Sequence, residues 1–558
     1  MKQFIFPVLV LAFFICSCGN KPVADRIYIN AMIWTGDSTQ PADSRYDNKM
    51  AIAVKDSQIL YVGTDYASLQ GSNTEMIDLQ GQMVVPGLVD NHTHFLSGGY
   101  QLTNVNLRTA QTRADFIQTL SAFSGTLPSG RWIVGGDWDH EAWGGELPDK
   151  KWIDSITGDN PVLVNRYDGH MALANSASLK LAGIDKFTKD PPGGTIVKDP
   201  VTGEPTGMLK DDAMSLVSRV IPAMTNEALD EAMQRGMQEA FAHGVTAVHD
   251  MGSYGGWTDL ATYRRAHEKG TQALRIYSFV PLGDWQRLDS FIRKNGRGDD
   301  MLHWGGLKGF TDGSLGSTTA WFYEPYLDEP QTSGLILTDS ALLRSWILGA
   351  DAAGLQVAVH AIGDRANHCV LDIYEDAVKT NKGNSRLRIE HAQHLLQSDI
   401  ARFSQLGVIP SMQPYHAIDD GRWAARRLDD RRLKTTYAFK SLLDHNARLT
   451  FGSDWTVAPL DPLAGIYAAV TRRTLDDANP GGWYPEQKVS VEQALISYTR
   501  NNAYAGFMEN KTGILKAGYL ADFAVLSQNL FKIAPENVRD VQVTRTVING
   551  REVYKAGK

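Results

Sequence analysis

The segment Pro86-Gly-Leu-Val-Asp90-Asn-His92-Thr-His94-Phe95 follows the apolar run Met83-Val84-Val85 and turns polar at Asp90. On a strand, residues i and i+2 project to the same face, so His92 and His94 point together while Thr93 turns aside. Two imidazoles side by side at a strand's carboxyl end supply half of a transition-metal site. Four later apolar stretches each end in a potential ligand. Leu307-Lys308-Gly-Phe310 leads into Thr311-Asp312-Gly-Ser314, and Val357-Ala-Val-His360 into Ala361-Ile-Gly-Asp364. Leu387-Arg-Ile-Glu-His391 leads into Ala392-Gln-His394, and Thr450-Phe-Gly-Ser453 into Asp454-Trp455. Taken singly, each such residue is most simply a hydrogen-bonded structural group. Four His, one Lys and one Asp in order on successive strand ends exceed what packing explains, because barrels gather their chemistry there.

The elements that must position these residues can be read as well. The middle of the chain alternates apolar strands with amphipathic helices, the pattern of parallel β/α units. One helix is expected from about Asn226 to His243, capped by Thr225, with Leu229, Met233, Met237 and Phe241 as its core stripe and Gly244 as its stop. About ten parallel strands can be drawn between Met83 and Trp455, two more than a (β/α)₈ barrel needs. The surplus falls in the Trp-, Gly- and Pro-rich stretch from about 130 to 225, read as an insertion over the barrel mouth. Short strands punctuated by Gly, Asp and Asn occupy residues 26 to 78. The carboxyl end repeats that texture from Asp522 to Tyr554, with an Asn549-Gly550 hairpin turn. Both ends are therefore expected to build one β domain.

The 558 residues are 43% hydrophobic and 21% charged, an ordinary globular composition with room for more than one domain. A net charge of −8 without a basic run argues against nucleic acid as a partner. At the amino end, Lys2 precedes an apolar run from Phe4 to Ile15, too short to span a bilayer but suited to a secretory signal. Ile15-Cys16-Ser17-Cys18 resembles a bacterial lipoprotein signal in which small Ser17 precedes a cleaved and acylated Cys18; bulky Ile15 makes Cys16 the poorer candidate. The expectation is a signal over 1–18 and a protein anchored by lipid in the bacterial cell envelope. Of three Cys, Cys369 alone would then remain as a thiol, which excludes an intrachain disulfide.

Taken together, Pro86 to His94, Asn165-Arg-Tyr-Asp168-Gly-His170, Gly203-Glu-Pro-Thr-Gly207, Lys308 with Asp312 to Gly316, His360 to Asp364, Ile389-Glu-His391 and Phe451-Gly-Ser-Asp454 carry a resemblance. Nearly the whole chain after the leader resembles the metal-dependent amidohydrolase superfamily, in its family 3 branch, which includes N-substituted formamide deformylase-like proteins. The resemblance implies an α/β fold: a TIM-type (β/α)₈ barrel over 85–507 with the inserted lid, plus a small β-sandwich from 19–84 and 508–558. It implies that His92, His94 and Asp454 hold one metal, and that His360 and His391 hold a second. Lys308 would be carboxylated to bridge the two; the alternative is an unmodified lysine paired with Asp312 and a single metal. Zinc, one or two ions, suits such a site, and iron or manganese could replace it.

Asp168 and His170 lie in a motif of the branch and are candidates for substrate contact, or loop anchors. His416, ending Gln413-Pro-Tyr-His416, is a third substrate candidate. Among the rest, His249 resembles it, Asp364 could orient His360, and Arg166 suits an internal salt bridge. His140 sits among Trp132, Trp138 and Trp143, which either wall the pocket or pack the lid. The expected activity is hydrolysis of a non-peptide C–N bond, amide or N-formyl, in a small molecule, by metal-activated water with Asp454 as proton shuttle. The same scaffold could act on an ester, a lactone or a cyclic imide, or serve as a non-catalytic envelope binding lipoprotein. The intact ligand set argues against the last, and homo-oligomerisation is left open.

Overall fold

The computed structural model describes residues 22–39, 50–166, 170–253, 255–381, 383 and 386–557. The leader with Cys18, and Asp168, lie outside these residues. Eight parallel strands form the central sheet: β1 (Leu88–Thr93), β2 (Val245–Asp250), β3 (Arg275–Pro281), β4 (Leu302–Phe310), β5 (Gln356–Ala361), β6 (Arg388–His391), β7 (Ile409–Met412) and β8 (Thr450–Phe451). Each pairs with its neighbour in chain order, and a parallel bridge between Thr93 and Trp455 brings β8 against β1. This is an eight-stranded TIM-type barrel, with every ligand-bearing strand end on one rim.

The helix Asn226–Ala242 packs on the helix Phe95–Leu102, which starts directly after His94. Thr225 caps the former by accepting from the Ala228 amide, and the expected stripe of Leu229, Met233, Met237 and Phe241 is buried.

Between these two helices in the chain lies a separate six-stranded sheet, from Val105–Asn106 to Pro205–Asp211. It contains the surplus parallel strands, since Ile133–Trp138 pairs in parallel with both Val105–Asn106 and Val162–Arg166. The sheet thus starts upstream of the expected 130, at a two-residue strand too short to show alternation. Trp138 and Trp152 fill its own core with Phe116, and Trp143 packs against them.

A third sheet draws on both ends of the chain. Arg26–Ile33 pairs with Met50–Lys55 and Glu75–Asp78 through its first half and with Met83–Pro86 through its last residues. Met83–Pro86 pairs with Phe523–Leu526, which continues into Val543–Ile548 and Arg551–Lys555. Tyr28, Ile52, Val84, Phe523 and Val525 share one core between the two halves. Buried Arg275, at the foot of β3, grips Asp522 with two guanidinium nitrogens at 2.5 and 3.0 Å, tying this sheet to the barrel.

Candidate metal centre

Ligand atoms of His92, His391 and Asp454 lie within 4.8 Å of one another. His94 joins them, its Nε2 being 3.4 Å from Asp454 Oδ1, against 3.5 Å for His92 Nε2. Lys308 Nζ is 3.2 Å from His92 Nε2. The His360 ring centroid is 4.5 Å from that of His391. All six expected ligands therefore meet at one rim of the barrel. The grouping is tighter than the expected set of His92, His94 and Asp454 beside a separate His360–His391 pair, because His391 lies with His92 and Asp454.

Two backbone conformations produce this convergence. His391 and Asp454 adopt φ of +71° and +59°, a region that non-glycine residues seldom occupy and that marks functional strand ends when surrounding bonds enforce it. The Asp454 amide donates to the His92 carbonyl oxygen at 2.8 Å, fixing β8 to β1 at this turn. On an extended β6, His391 would face away from Arg388 and Glu390; its left-handed φ turns it toward the same centre.

Each imidazole is oriented by its second nitrogen. His92 Nδ1 meets Glu390 Oε2 at 2.5 Å, His94 Nδ1 meets the Gly252 carbonyl oxygen at 2.6 Å, and His391 Nδ1 meets Gln413 Oε1 at 2.8 Å. These bonds leave Nε2 of all three as the nitrogen that could hold a metal. His360 is reversed: Nε2 donates to the Gly313 carbonyl oxygen at 2.9 Å, leaving Nδ1. Burial, reinforced by the Lys308 charge, pushes His92 and His360 down to about 4, and burial holds His391 well below the usual range. Burial alone would raise Asp454, but the surrounding histidines outweigh it and keep the carboxylate ionised. Burial would lower His94 as well, but the Asp454 carboxylate outweighs it and raises that imidazole; neutral His92, His360 and His391 with ionised Asp454 match the donor set a divalent transition metal takes.

Burial lowers Lys308 to about 8 against the pull of Glu390 and Asp454. It does not pair with Asp312, whose carboxylate accepts the amides of Trp321, Ile362 and Gly363 at 2.8 to 3.0 Å. Beneath the ligands runs a network that sequence reasoning missed. Arg388 donates to both oxygens of Glu390 at 2.7 and 3.0 Å, to the Asn91 carbonyl oxygen and to Ser411, and meets His249 Nδ1 at 3.0 Å. Arg388 and Glu390, both fully buried, stand at i and i+2 of one strand; an Arg–Glu pair inside an apolar strand is the signal that could have revealed them.

A cavity of about 420 Å³ opens onto His94, Lys308, His360, His391 and Asp454. His416 lines it, its ring parallel to His391 at 6.5 Å and its buried Nε2 without a hydrogen-bond partner. His170 lies elsewhere, exposed on the inserted sheet with Nδ1 2.9 Å from Asp211. None of the described residues between 103 and 225 lines the cavity, so the tryptophans pack the insertion and do not wall the site. Arg166 bonds Asp139 at 2.9 Å, and Asp364 accepts the Tyr323 amide instead of orienting His360. A larger cavity of about 770 Å³ lies at the opposite, amino-terminal ends of β3 to β5, beside Tyr277, His303 and Gln356, and holds none of the ligand cluster.

Comparison with known proteins agrees with this geometry. The profile of the amidohydrolase family matches residues 75–554. The chain is 41% identical to Protein LONG AFTER FAR-RED 3 of Arabidopsis thaliana, over 95% of this chain and 92% of that protein. It is 26% identical to N-substituted formamide deformylase of Arthrobacter pascens, over 94% and 97%. Among solved structures, an uncharacterized metal-dependent hydrolase from Pyrococcus furiosus superposes with a TM-score of 0.73 at 27% identity, covering 92% of this chain and 99% of that one.

Proposed function

The chain belongs to the amidohydrolase family, and we propose that within it the protein hydrolyses a non-peptide C–N bond, of an amide or N-formyl group, in a small molecule. The observation that carries this reading is the convergence of His92, His391 and Asp454, the last two of which line a ligand-sized cavity, with both imidazoles held neutral and the carboxylate ionised. His92, His94 and Asp454 would hold a divalent metal, zinc first, whose chemistry there would be Lewis acidity and a bound water with its pKa lowered toward ~7. Asp454 takes the proton of the attacking water and returns it to the departing nitrogen, acting as base and then acid. The likeness to the formamide deformylase supports an N-formyl or related amide as substrate.

Lys308 extends the site in this proposal. Its lowered pKa leaves more free amine than an ordinary lysine has at neutral pH. That amine can add to carbon dioxide, releasing one proton and forming an anionic carbamate. The carbamate oxygens, with His360 and His391, would hold a second metal.

The test is turnover of a panel of N-substituted formamides by the metal-loaded protein, with bound metal counted. Asp454→Asn should lower kcat at least ~10²-fold while the protein stays folded, in line with loss of a general acid–base group. Metal content should fall from about two equivalents to one in Lys308→Ala, if the carbamate bridges two ions. Turnover that survives Asp454→Asn would remove Asp454 from its role, and one equivalent in both proteins would leave Lys308 unmodified.

From the sequence of the leader we also infer a lipid anchor at Cys18 and a place in the bacterial cell envelope. Cys18→Ser should move the protein from the membrane to the soluble fraction of cells; membrane retention of that variant would end the lipoprotein reading.

A further inference from the structure

The cavity has a second polar wall that hydrolysis itself does not use. The helix Pro414–Asp420, which follows β7, brings His416, Asp419 and Asp420 to it, and Gln393 and Tyr437 complete it. Gln393 Nε2 donates to Asp420 Oδ2 at 2.8 Å, and the Tyr437 hydroxyl donates to the same oxygen at 2.6 Å. Both donors fall on one oxygen, so Oδ1 remains for a ligand. Asp419 differs, because it is already paired with Arg422.

The charge around Asp420 is one-sided. Among the described residues lining the cavity, Lys308 is the one lysine or arginine, and it stands with the metal ligands. Burial pushes Asp420 up to about 6 against the two hydrogen bonds it accepts. A buried carboxylate without a cation is costly, and an incoming cation relieves that cost. Phe310, Leu315, Ile362, Trp423 and Val457 add apolar surface to the same cavity.

We propose that Asp420 determines specificity: it selects substrates carrying a basic nitrogen, held as an ammonium at Asp420 Oδ1, with a hydrocarbon spacer leading to the scissile amide or N-formyl group at Asp454. This rests on the C–N hydrolase reading. The same charge pattern rejects substrates bearing a carboxylate, which would meet Asp420 with no arginine to balance it. Asp420 and the metal ligands thus read opposite ends of one molecule.

The test compares three formamides of equal chain length on the metal-loaded full chain, ending in an ammonium, a methyl or a carboxylate. In parallel, calorimetry measures binding of butylammonium, butanol and butyrate. The wild type should favour the ammonium substrate over the methyl one by about tenfold in kcat/KM, with the carboxylate poorest. Asp420→Asn should erase that preference and the binding of butylammonium. Tyr437→Phe removes a donor to Asp420 but keeps the carboxylate, so it should retain the preference.

Equal use of the ammonium and methyl formamides by the wild type would overturn the inference and leave the hydrolase reading standing. Equal damage from Asp420→Asn and Tyr437→Phe would also overturn it, marking Asp420 as an anchor for Tyr437. Butylammonium binding that depends on Asp420, without turnover of any formamide, would uphold Asp420 as an ammonium site and sink the C–N reading, and with it the link to a scissile group. Absence of both binding and turnover would reject both.

Discussion

Glu390 accepts from His92 Nδ1 at 2.5 Å and from Ser411 at 2.6 Å on one oxygen, while Arg388 grips both of its oxygens. A carboxylate behind a ligating imidazole fixes its tautomer and raises its basicity, and losing such a partner typically weakens metal binding about 10–100-fold. Glu390→Gln should therefore lower metal affinity by that factor in chelator competition. It should also destabilise the fold, since a buried arginine deprived of its counter-charge costs about 3–5 kcal/mol. Lower stability with unchanged affinity would mean that Glu390 serves Arg388 alone. At this scale the sequence was partly legible. His92 and His94 could be paired from their i, i+2 spacing, because strand alternation is obligatory. The grouping of His391 with them could not, since it depends on a left-handed φ at a non-glycine residue that no side-chain pattern encodes. Asp420 stayed hidden because its neighbours Gln393 and Tyr437 come from other loops.

The proposed metal ligands also depend on how two helices meet. The helix Phe95–Leu102 begins at the residue after His94 and lies on Asn226–Ala242. The contact is made by backbone: a Cβ on Gly99 would overlap the Ala232 carbonyl oxygen. Gly99→Ala must then push the helices apart, at a cost of about 1–3 kcal/mol for an overpacked contact. Because His94 caps the displaced helix, metal affinity should fall together with the melting temperature, measured on metal-free and metal-loaded protein. A lower melting temperature with full affinity would separate helix packing from ligand placement. Elements with strong periodicity were readable in advance, as Asn226–Ala242 shows with its Thr225 cap and buried stripe. The inserted sheet was not delimited, because its first strand, Val105–Asn106, is too short to alternate. Its parallel strands mimic barrel units and gave the surplus over eight.

Across the whole molecule, burial of titratable groups sets how stability depends on pH, and His303 offers a clean test at the foot of the barrel. Its ring stacks on Tyr277 at 4.4 Å, and Nε2 donates to the Gly506 carbonyl oxygen at 3.0 Å. Burial lowers its pKa from 6.5 to about 4. The folded state thus holds His303 neutral while the unfolded chain protonates it. Stability from this group is present above pH 6.5 and is lost as pH falls toward 4. Carboxyls raised by burial to about 7, such as Asp250 and Asp312, act oppositely: what they contribute is present below 3.8 and lost as pH rises through 7. The two sets flatten the overall profile, so the informative quantity is a difference in slope. Urea denaturation at pH 7 and pH 5 should show that His303→Gln loses roughly 2 kcal/mol less than wild type on acidification, whatever its stability at pH 7. An unchanged slope would mean that His303 keeps its ordinary pKa in the fold, and that water reaches the foot of the barrel more freely than its packing against Tyr277 and Gly506 implies.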